Sequence, residues 1–164
     1  MTSRSPVPAR RIFRDPCCFL AFGFGSGLAP FAPGTFGTLA AIPIYWWLAD
    51  LSPSIHGPLV FVLFLAGIPI CRRCEAALGT HDHSGIVWDE IVGYLITMAA
   101  VPFSWKATAL GFVLFRLFDI LKPWPISQID RAVRGGLGVM LDDALAGALA
   151  AVCLHFALPF MGIF

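Results

Sequence analysis

The chain has 164 residues, enough for one domain and too few for two ordinary ones, so residues 1–164 are expected to form a single unit. Hydrophobic residues make up 58% and charged ones 13%, against about 25% charged in a typical soluble domain, and the mean hydropathy of +0.80 points to lipid as solvent. A net charge of +1 excludes the footprint of a nucleic-acid-binding protein, and five cysteines with one short spacing, Cys71 and Cys74, lack the second pair of a zinc site and read as small apolar residues in a reducing setting.

In chain order, the N-terminal segment carries Arg4, Arg10, Arg11 and Arg14. No apolar run with a small-residue cleavage site follows, so no cleaved signal peptide is expected. A glycine-rich loop from Gly23 to Thr38 comes next, and then five apolar stretches, roughly 35–49, 58–71, 86–103, 107–121 and 138–163. All read as helices. The first two span about fifteen residues, short of the roughly 20 that cross a hydrocarbon core, so they are expected to be tilted or re-entrant. No repeat or low-complexity segment is visible. The expected fold is all-α, a helical integral-membrane bundle of about five membrane-associated helices, some short or re-entrant.

The basic residues orient such a bundle. With five crossings, Arg72 and Arg73 share a side with the N-terminal arginines and with Lys122, Arg131 and Arg134, leaving Lys106 opposite and Arg116 within a helix. The positive-inside rule places the richer side in the cytoplasm. The same topology brings Asp89, Glu90, Asp119, Asp142 and Asp143 to that side, although the basic count did not require it.

Carboxylates beside hydrocarbon are costly, which marks them as functional candidates. The economical way to keep five of them ionised is a divalent cation, and Mg²⁺ fits an all-oxygen set that also meets a substrate phosphate. Gly93 lies one turn after Asp89, and Ala146 and Gly147 one turn after Asp142 and Asp143, so close helix approach is possible there. The alternative is a set of interfacial ion pairs: Arg116 and Lys122 each sit three residues from Asp119, whereas Asp142 and Asp143 have no basic neighbour on their own helix.

In the glycine-rich loop, Ser26, Gly34, Thr35 and Thr38 are candidates to hold a phosphate, since glycines allow close backbone approach and a helix starting near Thr35 would aim its free N–H groups at an anion. Any turn before a membrane helix has a similar composition, and the loop lacks the Gly-Lys-Ser/Thr ending of a P-loop. Arg116 and Lys122, fixed before Pro123-Trp124-Pro125, are candidates to contact a lipid phosphate. His81-Asp82-His83 has no third nitrogen or sulfur ligand at a recognisable spacing and reads as a solvated loop.

Gly25-Ser26-Gly27 through Ala32-Pro33-Gly34-Thr35, His81-Asp82-His83 with Val87-Trp88-Asp89-Glu90-Ile91-Val92-Gly93, Phe115 to Ile126, and Gly136-Leu137-Gly138-Val139-Met140 with Asp142-Asp143 and Ala146-Gly147 together resemble the phosphatidylglycerophosphatase A family. Residues 48–79 and the termini carry no recognisable motif. The resemblance implies Mg²⁺-dependent hydrolysis of phosphatidylglycerophosphate to phosphatidylglycerol and phosphate at the bacterial inner membrane. The phospholipid substrate would be met from the cytoplasm. The residues alone reach only a membrane enzyme or transporter handling a phosphate-bearing or cationic substrate. A small transporter usually shows a paired repeat, which is not visible. A CDP-alcohol phosphotransferase would show several Asp on two adjacent helices with embedded Asp-Gly and Ala-Arg, which is missing. Oligomeric state is left open.

Overall fold

Prolines open two of the longer helices, and left-handed residues close two of them. The computed structural model describes residues 9–80, 83–133 and 135–163, apart from the side chain of Arg131. A short helix α1 (Ala9–Arg14) leads into α2 (Pro16–Ala21), which Asp15 caps by accepting a hydrogen bond from the Cys17 N–H at 2.9 Å. Two tight turns over Gly23–Leu28, with Phe24 and Gly25 at φ 59° and 101°, carry the chain to Pro33 and the start of α3 (Pro33–Leu48). Helix α4 (Pro53–Leu78) ends at Gly79, whose φ of 69° lets its N–H return to the carbonyls of Glu75 and Ala76. Then come α5 (Trp88–Thr97) and α6 (Trp105–Leu121), which closes on Lys122 at φ 41° just before Pro123. A short α7 (Ile126–Ala132) precedes α8 (Gly136–Ala157), extended by a turn over Leu158–Met161.

Each apolar stretch overlaps one of α3, α4, α5, α6 and α8, but the lengths of two helices depart from expectation. α4 runs for 26 residues with Pro58 and Pro69 inside it, not about fifteen, so at about 1.5 Å per residue it reaches roughly 39 Å and is no short helix. α5 keeps only ten residues of its stretch, because the chain turns away after Thr97 with Ala100 at φ 59°. At about 15 Å it cannot cross a bilayer by itself. α1, α2 and α7 were not anticipated.

The reason α5 is apolar is that it lies inside the bundle. Seven of its ten residues are buried, and it packs on α8, α3 and α4, while α8 also covers α6 and α7. Contact with α8 is set by glycine on both sides: a Cβ on Gly147 would overlap the Gly93 carbonyl, and one on Gly93 would lie 2.8 Å from the Asp143 carbonyl oxygen. Two buried hydroxyls near this seam are satisfied, Tyr94 donating to the Thr108 carbonyl at 3.1 Å and Thr97 to the Gly93 carbonyl at 3.0 Å.

Two segments, Pro53–Leu78 and Gly136–Met161, are long and apolar enough to cross a membrane. Only 22% and 28% of their apolar windows are buried, unlike the core helices of a soluble protein. Their outer faces expose Phe61, Val62, Val152 and Phe156. The architecture is that of a helical membrane-associated bundle. The starts of α3, α5 and α8 and the last turn of α6 meet at one end of it.

Candidate active site

At that end lies a cavity of about 690 Å³, and Asp89, Glu90, Asp119, Asp142 and Asp143 all line it. α5 supplies Asp89 and Glu90 from its first turn, α8 supplies Asp142 and Asp143, and α6 supplies Asp119 with Arg116. Lys122, at the left-handed end of α6, lines the same cavity.

Side-chain contacts divide these acids into three groups. Arg116 Nη1 lies 2.5 Å from Asp119 Oδ2 and 3.9 Å from Glu90 Oε1. Lys122 Nζ lies 2.6 Å from Asp142 Oδ2 and donates also to Asp130 Oδ1 at 2.7 Å. Asp89, Glu90 and Asp143 form the third group, each offering an oxygen within 4.8 Å of the others. The absence of a basic neighbour on α8 therefore did not leave Asp142 without one, because Lys122 reaches it from α6. For Asp119 the ion-pair alternative is realised through Arg116.

The three-carboxylate group has the donor chemistry of a cation site. Asp89 Oδ1, Glu90 Oε2 and Asp143 Oδ2 are buried without a hydrogen-bond partner, a costly state for a carboxylate unless a countercharge meets it. All donors are hard oxygens, so the group could hold a hard divalent ion. Lys122 lies outside the longest apolar segments. Burial alone would lower its pKa, but hydrogen bonds to Asp130 and Asp142 outweigh that and raise it, so the side chain stays a cation.

The glycine-rich loop reaches the cavity only through Ala32, Pro33 and Gly34. Ser26 Oγ donates to the Gly23 carbonyl at 2.8 Å and Thr38 Oγ1 to the Gly34 carbonyl at 2.9 Å, and neither these two nor Thr35 form part of the cavity wall. Gly34 is where a side chain would intrude: a Cβ there would overlap Glu90 Oε1 and lie 3.1 Å from Arg116 Nη1.

Three further titratable residues line the cavity that the sequence did not single out as site residues. Asp130 has no local signal, since its tie to Lys122 spans the turn between α6 and α7. Glu75, 5% exposed, is an acid in the last turn of α4 and would have been flagged had that helix been read to its full length. His83 Nδ1 accepts from the Gly85 N–H at 3.0 Å with its ring 5.5 Å from that of Phe22. His81 and Asp82 of the same motif lie outside the described residues.

Comparison with known proteins gives these contacts a context. The family model for phosphatidylglycerophosphatase A matches residues 19–158. Phosphatidylglycerophosphatase A of Escherichia coli (strain K12) is 45% identical over 143 residues, covering 87% of this chain and 83% of its own length. The protein of the same name from Haemophilus influenzae is 42% identical over 166 residues, covering 98% of each. No solved structure matches.

Proposed function

The chain belongs to the phosphatidylglycerophosphatase A family, and on that premise we propose that it hydrolyses phosphatidylglycerophosphate to phosphatidylglycerol and inorganic phosphate in phospholipid synthesis. The observation that carries this reading to particular atoms is one cavity holding a group of buried carboxylates with unpartnered oxygens beside two cations. A phosphomonoester needs both: negative charge neutralised at phosphorus and positive groups on its nonreacting oxygens.

Asp89, Glu90 and Asp143 would hold Mg²⁺, which when bound neutralises phosphoryl charge and lowers the pKa of a water. Arg116 and Lys122 bind nonreacting phosphate oxygens, Lys122 as a fixed cation and Arg116 through its planar fork. Asp142 keeps Oδ2 on Lys122 and leaves Oδ1 without a partner, so that oxygen accepts the proton of the attacking water. Water oxygen bonds to phosphorus, the bond to the glycerol oxygen breaks, and the proton passes to that oxygen. Gly34 keeps the backbone of α3 close to Glu90 and Arg116 without a side chain between them. The charged end of the bundle faces the cytoplasm at a bacterial inner membrane, a placement supported by the basic residues that share it.

The test is phosphate release by purified protein in bilayers containing phosphatidylglycerophosphate, with phosphatidylglycerol identified as the lipid product. Release matched by formation of phosphatidylglycerol supports the reading. No release, or release with a different lipid product, overturns it.

A further inference from the structure

The cavity wall between the start of α3 and the end of α6 is built unlike the rest. Arg116 and Asp119 turn inward from α6, whereas Leu117, Ile120 and Leu121 turn outward and are 46%, 68% and 66% exposed. Ile120 is one turn beyond Arg116, so an apolar surface borders the cation directly. Across the gap, Phe31 and Phe36 flank Pro33 and Gly34, their rings 5.7 Å apart, and Phe31 is 68% exposed. α3 and α6 touch each other lightly, while α5 with α8 and α6 with α8 pack closely.

We infer that this gap is the lateral entrance for the lipid, with acyl chains lying against Phe31, Phe36, Ile120 and Leu121 while the head group reaches the carboxylates. The inference rests on the function proposed above and adds where the lipid enters and which residues select a lipid over a soluble phosphomonoester. An apolar rim joined to Arg116 and Lys122 complements one kind of molecule, an anionic head on an apolar body. A small soluble phosphate ester would need the cations and not the rim. Phe61, Val62 and Leu65 of α4 are exposed to a similar degree but lie well before Glu75, where α4 reaches the cavity, whereas Phe31, Ile120 and Leu121 are chain neighbours of the cavity residues Ala32, Asp119 and Lys122, so the α4 positions serve as an internal reference for ordinary lipid-facing surface. The entrance also places the phosphomonoester near the membrane surface without lifting the chains out of the bilayer.

The test is site-specific photocrosslinking in bilayers. Benzoylphenylalanine replaces Phe36, Ile120 or Leu121, and Phe61 or Leu65 as reference, in protein that retains phosphate release. Phosphatidylglycerophosphate labelled in its acyl chains is present in trace, and unlabelled phosphatidylglycerophosphate then replaces phosphatidylcholine at constant total lipid. Labelling is expected to be lost at positions 36, 120 and 121 as the substrate competes, and to stay unchanged at 61 and 65. Equal behaviour at both sets of positions in protein that releases phosphate overturns the entrance and leaves the catalytic reading standing. Crosslinks from position 36 or 120 to a second copy of the chain overturn it too, assigning the rim to an oligomer contact. Absence of phosphate release in the unsubstituted protein overturns the catalytic reading itself.

Discussion

Gly34→Ala tests the site without touching a charge. The added methyl would overlap Glu90 Oε1 and stand 3.1 Å from both Glu90 Cδ and Arg116 Nη1, where comfortable carbon contacts lie at about 3.5–4.0 Å. The Glu90 carboxylate must therefore retreat by about 1 Å, out of register with Asp89 and Asp143. A misplacement of about 1 Å costs on the order of 10²-fold in rate, equivalent to about 2.7 kcal/mol of transition-state stabilisation. Folding should not fall in parallel, because alanine in a helix is favoured over glycine by about 1 kcal/mol and Gly34 sits in the first turn of α3. The assay is phosphate release from phosphatidylglycerophosphate alongside a thermal melt. A Gly34→Ala protein within twofold of wild type in both kcat and KM would refute the close packing of Gly34 on Glu90 as a requirement for turnover.

Other expected outcomes follow from the division of the acids. Asp143→Asn removes one of three clustered carboxylates and should cut phosphate release by on the order of 10²-fold or more while raising the Mg²⁺ needed for half-maximal rate, read by titrating metal. Asp142→Asn should also slow turnover, by roughly 10- to 100-fold through loss of a charge-assisted hydrogen bond and a proton acceptor, yet leave the Mg²⁺ requirement near normal. A raised Lys122 pKa means that its contribution to stability and binding is complete below the ordinary lysine value of 10.5 and lost only as pH rises through the higher folded value, so rate profiles should show no loss from this group below 10.5. Gly147→Ala pushes a methyl into the Gly93 carbonyl at the α5–α8 seam and should destabilise the protein by about 1–3 kcal/mol, seen as a lower Tm.

The apolar helices and the acids were legible because a charge in an apolar sequence stands out whatever surrounds it. Helix lengths were less so. The apolar stretch 58–71 covers only the middle of α4, which continues through the polar residues Arg72, Arg73 and Glu75, and the apolar run after Thr97 hid a turn at Ala100. α1 and α7, six and seven residues long, are too brief to show a period. Pairings within the site could not be read either, because they depend on which helices meet. Lys122 is three residues from Asp119 but is bonded to Asp142 and Asp130, and Arg116 takes Asp119 instead. Glycine gave a mixed signal: Gly34 does approach the cavity, while Ser26 and Thr38 spend their hydroxyls on local carbonyls.

The central claim is that Asp89, Glu90 and Asp143 bind the metal on which lipid phosphate release depends. Protein stripped with EDTA and titrated with Mg²⁺, wild type beside Asp143→Asn, tests it most directly. The wild type should be inactive when stripped and recover fully, and the variant should recover only in part at far higher Mg²⁺. Full phosphate release in excess EDTA, or an unchanged Mg²⁺ requirement in Asp143→Asn, would contradict it.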